Sequence, residues 1–202
     1  MKINEITEGP HDPYRYKAIF FAGSPGAGKT YVARKLADVF QGLKQVNMDI
    51  WFKRLMTKKN LSWKMPPEEE PEREKQRQRS KELVAKQQQS YTDSGLGLLI
   101  DSTGRIAGTV RRIKNELEDK GYETTMVFVT TDLETALRRN KERERTLPDK
   151  LIHQNFEVIE QRLGEYQRMF NDVLVIDNSE STQMSMPAQL VHVEKNIRKF
   201  LQ

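Results

Sequence analysis

Eight consecutive residues, Gly23-Ser24-Pro25-Gly26-Ala27-Gly28-Lys29-Thr30, match the pattern G-x-x-x-x-G-K-[ST] at every specified position. The chemistry such a loop serves is phosphate binding, with successive backbone N–H groups and the positive end of the following helix converging on one anion. Gly23, Gly26 and Gly28 allow positive φ or close backbone approach. Lys29 supplies a point charge for the β- and γ-phosphates of a nucleotide, and the Thr30 hydroxyl suits Mg²⁺. A glycine-rich turn that binds nothing is the bland reading. What separates the two is context, because a phosphate loop needs a buried strand before it and a helix after it.

Both elements are legible. Residues 16–22 (Y-K-A-I-F-F-A) form a short apolar run fit for a central parallel strand, and residues 31–40 place Val32, Leu36, Val39 and Phe40 at helical spacing. Two carboxylates stand at comparable junctions. Asp49 follows a brief strand at 45–48 and precedes a helix over 50–58 with Ile50, Phe52, Leu55 and Met56 apolar. Asp101 closes the best buried run in the chain, 96–100, and is followed by Ser102-Thr103-Gly104-Arg105. Strand-to-helix boundaries are where sites form in open α/β sheets, so Asp101 is placed to hold Mg²⁺ through water or to bind an acceptor. The residue after it is Ser102, not the Glu that motor-type ATPases use to activate water, which argues for transfer over hydrolysis.

A helix over 106–120 ends at Gly121, a fourth strand spans 124–130, and Asp132 caps a helix with Leu133, Ala136 and Leu137 inward. That helix runs into Arg138-Arg139-Asn140-Lys141-Glu142-Arg143-Glu144-Arg145, before Pro148 and a new helix over 150–170. An Arg-rich elbow here (about 138–150) has the build of a lid that brings guanidinium groups to a transferring phosphoryl group. The plain alternative is a helix end laced by i,i+4 ion pairs. A fifth strand at 173–176 leads to Asp177-Asn178, with Asn178 at an edge where an adenine base can rest, and a helix over 187–201 closes the sheet. The fold class expected is α/β: a P-loop NTPase, three layers α/β/α, with a five-stranded mainly parallel sheet.

With 202 residues one nucleotide-binding domain over 15–202 is expected, after an irregular, mobile leader at 1–14 broken by Gly9, Pro10 and Pro13. Lys and Arg number 34 against 29 Asp and Glu, for a net charge of +5, which permits a polyanionic partner without requiring one. The absence of cysteine excludes disulfides, thiolate metal sites and Cys nucleophiles. No apolar run approaches a membrane span and residues 1–13 lack a signal-peptide core, so a cytoplasmic protein is expected. His11, His153 and His192 show no ligand spacing. Residues 59–90 change character: Pro66-Pro67-Glu68-Glu69-Glu70-Pro71 precedes a charged, Gln-rich helix in which Leu83 and Val84 are the strong aliphatics. That pattern predicts a charged helical insertion, an extended excursion or lid-like arm. Its Arg73, Lys75, Arg77, Arg79, Lys81 and Lys86 are interleaved with Glu72, Glu74 and Glu82, so nucleic-acid contact competes with a solvated face.

Taken together these residues resemble P-loop kinases of the bacteriophage polynucleotide kinase and zeta-toxin group, over roughly residues 15–180. The resemblance rests on Gly23 to Thr30, on Asp49 after the second strand, on Asp101-Ser102-Thr103 after the third, and on Arg139-Asn140-Lys141-Glu142-Arg143 as an R-N-x-x-R lid. It implies that Asp49 is the general base and that Arg139 and Arg143 belong to a lid; with the residue chemistry above, Lys29 and these arginines are expected to neutralise the transferring group, Thr30 to bind Mg²⁺, and Asp101 to position metal or substrate. The family's Arg shortly after the general base has no direct match. Lys53 and Arg54 are the nearest cations, and with Asp49, Asp101, Thr103 and Arg105 they make up the expected acceptor side.

The resulting expectation is a kinase that moves the γ-phosphoryl of ATP, with Mg²⁺, to a hydroxyl of a nucleic acid, either a 5′-hydroxyl or one on a modified base. In a phage-encoded protein the setting would be the host cytoplasm. The alternative is a small-molecule acceptor such as the nucleotide sugar that zeta-type kinases phosphorylate. A nucleotide-dependent binding or switch protein is a third class.

Overall fold

A computed structural model describes residues 12–101, 103–142 and 146–202. Five strands, β1 (Lys17–Gly23), β2 (Lys44–Asn47), β3 (Leu98–Asp101), β4 (Glu123–Thr130) and β5 (Val173–Asp177), form one sheet in the order β2-β3-β1-β4-β5. Every pairing is parallel, so the sheet is wholly rather than mainly parallel. Parallel strands need crossover connections, and here these are helices on both faces. That is why β1, with strands on either side and helices above and below, is buried from Ala18 to Gly23.

One face of the sheet packs against α1 (Lys29–Val39) and α7 (Met186–Phe200). There Val32, Leu36, Val193 and Ile197 meet Ile19, Phe21, Val127 and Ile176. The other face carries α4 (Ala107–Glu118) and α6 (Asp149–Met169), which bring Val110, Leu117, Ile159 and Tyr166 onto Phe20, Ile100 and Phe128. α5 (Leu133–Lys141) is capped by Asp132, whose Oδ1 accepts from the Thr135 N–H at 2.6 Å. In this order the chain from β1 to β2 passes over β3, so the C-terminal ends of β1 and β3 border the crevice where the direction of winding reverses.

The 59–90 arm is not a free excursion. After a short 3-10 turn at Pro67–Glu69, α3 (Glu70–Asp93) lies along α2 (Met48–Lys58) and reaches β2. Its inward face is largely polar: Arg73, Gln76 and Ser80 are buried and bonded locally, although the Arg73 Nε has no hydrogen-bond partner among the described residues. The Arg73 guanidinium pairs with Glu70 and donates to the Pro66 carbonyl at 3.0 Å, and the Ser80 hydroxyl donates to the Arg77 carbonyl at 2.7 Å. Further along, Val84 and Tyr91 join the core. The helix docks through long side-chain stems, through Arg77 over the Phe52 ring at 5.4 Å, and through the Trp51 indole N–H donating to Gln87 Oε1 at 2.9 Å.

Candidate active site

The phosphate loop occupies the turn between β1 and α1. Gly23 must be glycine for a steric reason, since a Cβ there would lie 1.9 Å from the Val129 carbonyl oxygen on β4. Gly28 sits at φ +92 against the Asn178 amide, which a Cβ would approach to 2.8 Å. α1 begins at Lys29, so its unpaired N–H groups and positive end face the loop. The Lys29 ammonium donates to the carbonyls of Gly23 at 2.7 Å and Ser24 at 3.0 Å, folded back across its own loop. Pro25 and Gly26 are partly buried at the mouth, Ala27 is fully buried beneath it, and Thr30 is exposed on the first turn of α1.

The β2–β3 side carries the carboxylates. Asp101, partly buried at the end of β3, has its pKa pushed up to about 6, chiefly by burial; the Lys29 charge lowers it and the Asp49 charge raises it. The three groups therefore share one electrostatic neighbourhood. Asn47, the last residue of β2, ties the pair together: its Nδ2 donates to Asp101 Oδ2 at 2.6 Å, and its Oδ1 caps α2 by accepting from the Asp49 N–H at 2.7 Å. Asp49 is exposed in that first helical turn. Thr103 and Arg105 follow on the β3–α4 loop, held to the phosphate loop by the Gly23 N–H donating to the Thr103 carbonyl at 3.5 Å. The Tyr166 hydroxyl donates to the neighbouring Gly104 carbonyl. Lys53 stands one turn after Asp49. Arg54 does not join it: its guanidinium turns onto the Trp51 ring, 5.3 Å from the centroid.

The β4–β5 side is a hydrogen-bonded brace. Arg139 does not point a free guanidinium at the phosphate loop's mouth as a lid residue would. Its Nη1 donates to the Gly26 carbonyl at 3.2 Å and its Nη2 to the Asn178 carbonyl at 3.1 Å, which uses its planar fork on backbone. Asn178 in turn donates from Nδ2 to the Ala27 carbonyl at 2.8 Å. The elbow after α5 is clasped by Asn140, whose Nδ2 donates to the Leu147 carbonyl at 2.8 Å and whose Oδ1 accepts from the Leu147 N–H at 2.9 Å. Arg138 pairs with Glu142 and Glu180, the ion-paired alternative for that residue. Arg143, the second arginine of the R-N-x-x-R pattern, and Ser102 lie outside the described residues.

Two contributors went unread. Asn47 carried a signal, because a cap-type residue directly precedes the helix. Glu160 carried none. It sits on α6 beside the inward-facing Ile159, accepts from the Thr130 hydroxyl at 2.7 Å, and has its pKa raised by burial. The fully buried Ser24 hydroxyl is within its electrostatic reach but outside hydrogen-bonding geometry.

For Mg²⁺, the donor set fits a site shared with substrate. Among the described residues no three His, Asp or Glu side chains cluster as a self-sufficient chelate. Mg²⁺ is ordinarily held by one or two carboxylates with phosphate oxygens and water, and Asp101 and Thr30 flank the place where such phosphates would lie. A partly buried carboxylate with a raised pKa beside a phosphate loop is also a group that a cation would relieve.

The zeta toxin family model matches residues 2–185. A comparison with curated proteins found no match. Among solved structures, a protein of Chloroflexus aurantiacus J-10-fl assigned as a kinase is similar with a TM-score of 0.66 at 15% identity, covering 95% of this chain and 100% of that one. A chain from the PezAT chromosomal toxin–antitoxin system of Streptococcus pneumoniae is similar at TM-score 0.55 and 16% identity, covering 93% and 86%. Shikimate kinase of Bacteroides thetaiotaomicron is similar at 0.55 and 15%, covering 90% and 98%.

Proposed function

Since the chain belongs to the zeta toxin family and is a P-loop phosphotransferase, we propose that it moves the γ-phosphoryl group of ATP to a hydroxyl of a small anionic molecule. The observation that carries the reading is the grouping of Lys29, Asp101 and Asp49 at the mouth of the phosphate loop, a cation for phosphate and two carboxylates on the acceptor side. In this reading Lys29 swings from its loop carbonyls to the β- and γ-phosphates. Asp49, exposed and held by the Asn47 cap, accepts the proton of the acceptor hydroxyl as it attacks. Lys53, one turn on and on the same helix face, neutralises an anionic group of the acceptor. Thr30 and Asp101 would hold Mg²⁺, which when bound supplies charge neutralisation between the phosphates. Arg139 and Asn178 fix the loop from behind, and Asn178 borders the space proposed for adenine. Arg143 stays a candidate for the transition-state charge.

The small-molecule acceptor is favoured over nucleic acid by the charges of α3. Arg73, Lys75, Arg77 and Arg79 pair with Glu70, Glu72, Glu74 and Glu82, so that stretch presents a balanced face and not a basic stripe. A nucleotide sugar is one molecule of the favoured class. Nucleic acid keeps one supporting observation: Lys53 and Lys58 are exposed on α2 and, among the described residues, in no ion pair.

The test is incubation with γ-labelled ATP and a panel of nucleotide sugars, nucleoside monophosphates and 5′-hydroxyl oligonucleotides. Label on a small molecule is expected. Label on an oligonucleotide, with log K falling by about 2 to 3 per decade of salt for about three to four phosphate contacts, would shift the assignment to nucleic acid. Tight ATP binding with no transfer to any acceptor would favour a nucleotide-dependent switch.

A further inference from the structure

A second cavity, of about 250 Å³, lies outside the catalytic cleft along the open side of β2. β2 is an edge strand, so no strand covers that side, and α2 and the C-terminal half of α3 close it instead. Its lining includes Lys44 and Asn47 from β2, Trp51 and Arg54 from α2, and Gln87 and Tyr91 from α3. The aromatic wall is fixed. One amide holds both rings, with Gln87 Oε1 accepting from the Trp51 indole at 2.9 Å and Gln87 Nε2 donating to the Tyr91 hydroxyl at 3.0 Å. Arg54 lies over the indole face. The lining holds two cations and no carboxylate, and among the described residues neither Lys44 nor Arg54 is in an ion pair. Aromatic walls with unbalanced positive charge match a small organic anion bearing a planar ring.

This is not the acceptor side of the catalytic cleft. At about 100° per residue, Arg54 lies about 140° around α2 from Asp49, whereas Lys53 lies about 40° from it. The cavity therefore faces away from the catalytic carboxylates and touches them through one side chain. Asn47 lines the cavity while its amide bonds Asp101 at one end and caps α2 at the Asp49 N–H at the other. We propose that this cavity is an effector site for a small organic anion with a planar ring, and that occupancy is transmitted to the nucleotide site through Asn47. α3 then has a role that its surface charge does not reveal: it is the second wall of that site.

The chain has two tryptophans, so Trp63→Phe leaves Trp51 as the sole indole reporter. With phenyl phosphate as probe, a saturable change in Trp51 emission is expected, it should persist at saturating Mg·ADP, and benzylamine should give none. Lys44→Gln/Arg54→Gln should weaken the probe at least about tenfold, the equivalent of losing roughly one charge-assisted contact. If that pair of changes disturbs the melt, the exposed Arg54→Gln alone carries this arm. Saturating phenyl phosphate should also change the Mg·ADP dissociation constant by at least about twofold, reaching a plateau. Binding is read here without any kinase assay, so the outcome does not depend on the proposed reaction. The proposal is overturned by absence of a saturable signal, by simple competition with Mg·ADP, by unaltered probe affinity in the substituted protein, or by an Mg·ADP affinity that does not respond.

Discussion

The two flanks of the phosphate loop are built on opposite plans. On the β4–β5 flank, Arg139, Asn178 and Thr131 spend their polar groups on backbone carbonyls, binding loop to loop. On the β2–β3 flank the polar groups are carboxylates, and at Asp101 charge is costly: burial and the Asp49 charge hold it well above the ordinary aspartate range, while Asn47 Nδ2 donates to it. On the first flank Arg139 and Asn178 are satisfied and hold shape. The second is set at Asp101 against its own ionisation, a cost that a cation beside it would relieve. A kinase needs both, because transition-state stabilisation depends on a preorganised donor side and a reactive acceptor side.

Removing the charge between the flanks has a large expected effect. Lys29→Ala should lower phosphoryl transfer by at least about a hundredfold, since a desolvated charge contact contributes several kcal/mol and each tenfold is about 1.4. Single-turnover transfer from γ-labelled ATP reads this directly.

Asp101→Asn should sharpen the contrast by separating stability from activity. A carboxylic acid whose folded pKa is about 6 against an ordinary 3.8 binds its proton more tightly when folded. Its ionisation therefore costs stability; the cost is absent below about pH 4, grows from pH 4 to 6, and is complete above about 6, on the order of 3 kcal/mol. The asparagine variant, without Mg²⁺ or nucleotide, should be more stable than the parent at pH 7.5 by up to that amount, with the gap closing near pH 4. Denaturant titrations across this range measure it, and transfer in the same variant should fall.

Arg139→Ala probes the braced flank and should act more weakly on chemistry. Loss of the two bonds to Gly26 and Asn178 should cost about 1–3 kcal/mol of stability and about tenfold in ATP affinity, with a smaller change in the rate at saturating ATP. Thermal melts and nucleotide titration check both parts.

The braced flank was also the less legible one. The phosphate loop, its strand and its helix could be read because loop chemistry and apolar period agreed at each position, and the strands ending in Asp101 and Asp177 are continuous apolar runs. The R-N-x-x-R pattern named Arg139, yet a pattern cannot say that its guanidinium would turn back onto backbone carbonyls. α3 misled for a related reason. Its buried face is Arg73, Gln76 and Ser80, so hydrophobic period, the main signal of a docked helix, is silent. Arg54 differed from Lys53 only through a ring one turn away, Trp51, that sequence spacing does not place. Glu160 meets Thr130 at the end of β4 from a helix whose pattern speaks only for Ile159 and Tyr166.

The central claim, that the acceptor flank does the chemistry while the phosphate loop and its brace bind nucleotide, is tested most directly by Asp49→Asn. An amide keeps the shape of the side chain and cannot take the acceptor proton. Turnover should fall roughly 10²- to 10⁴-fold while Mg·ATP affinity by calorimetry stays within about twofold of the parent. A collapse of Mg·ATP binding with Asp49→Asn, or transfer at the parental rate, would contradict the account and move the base to Asp101.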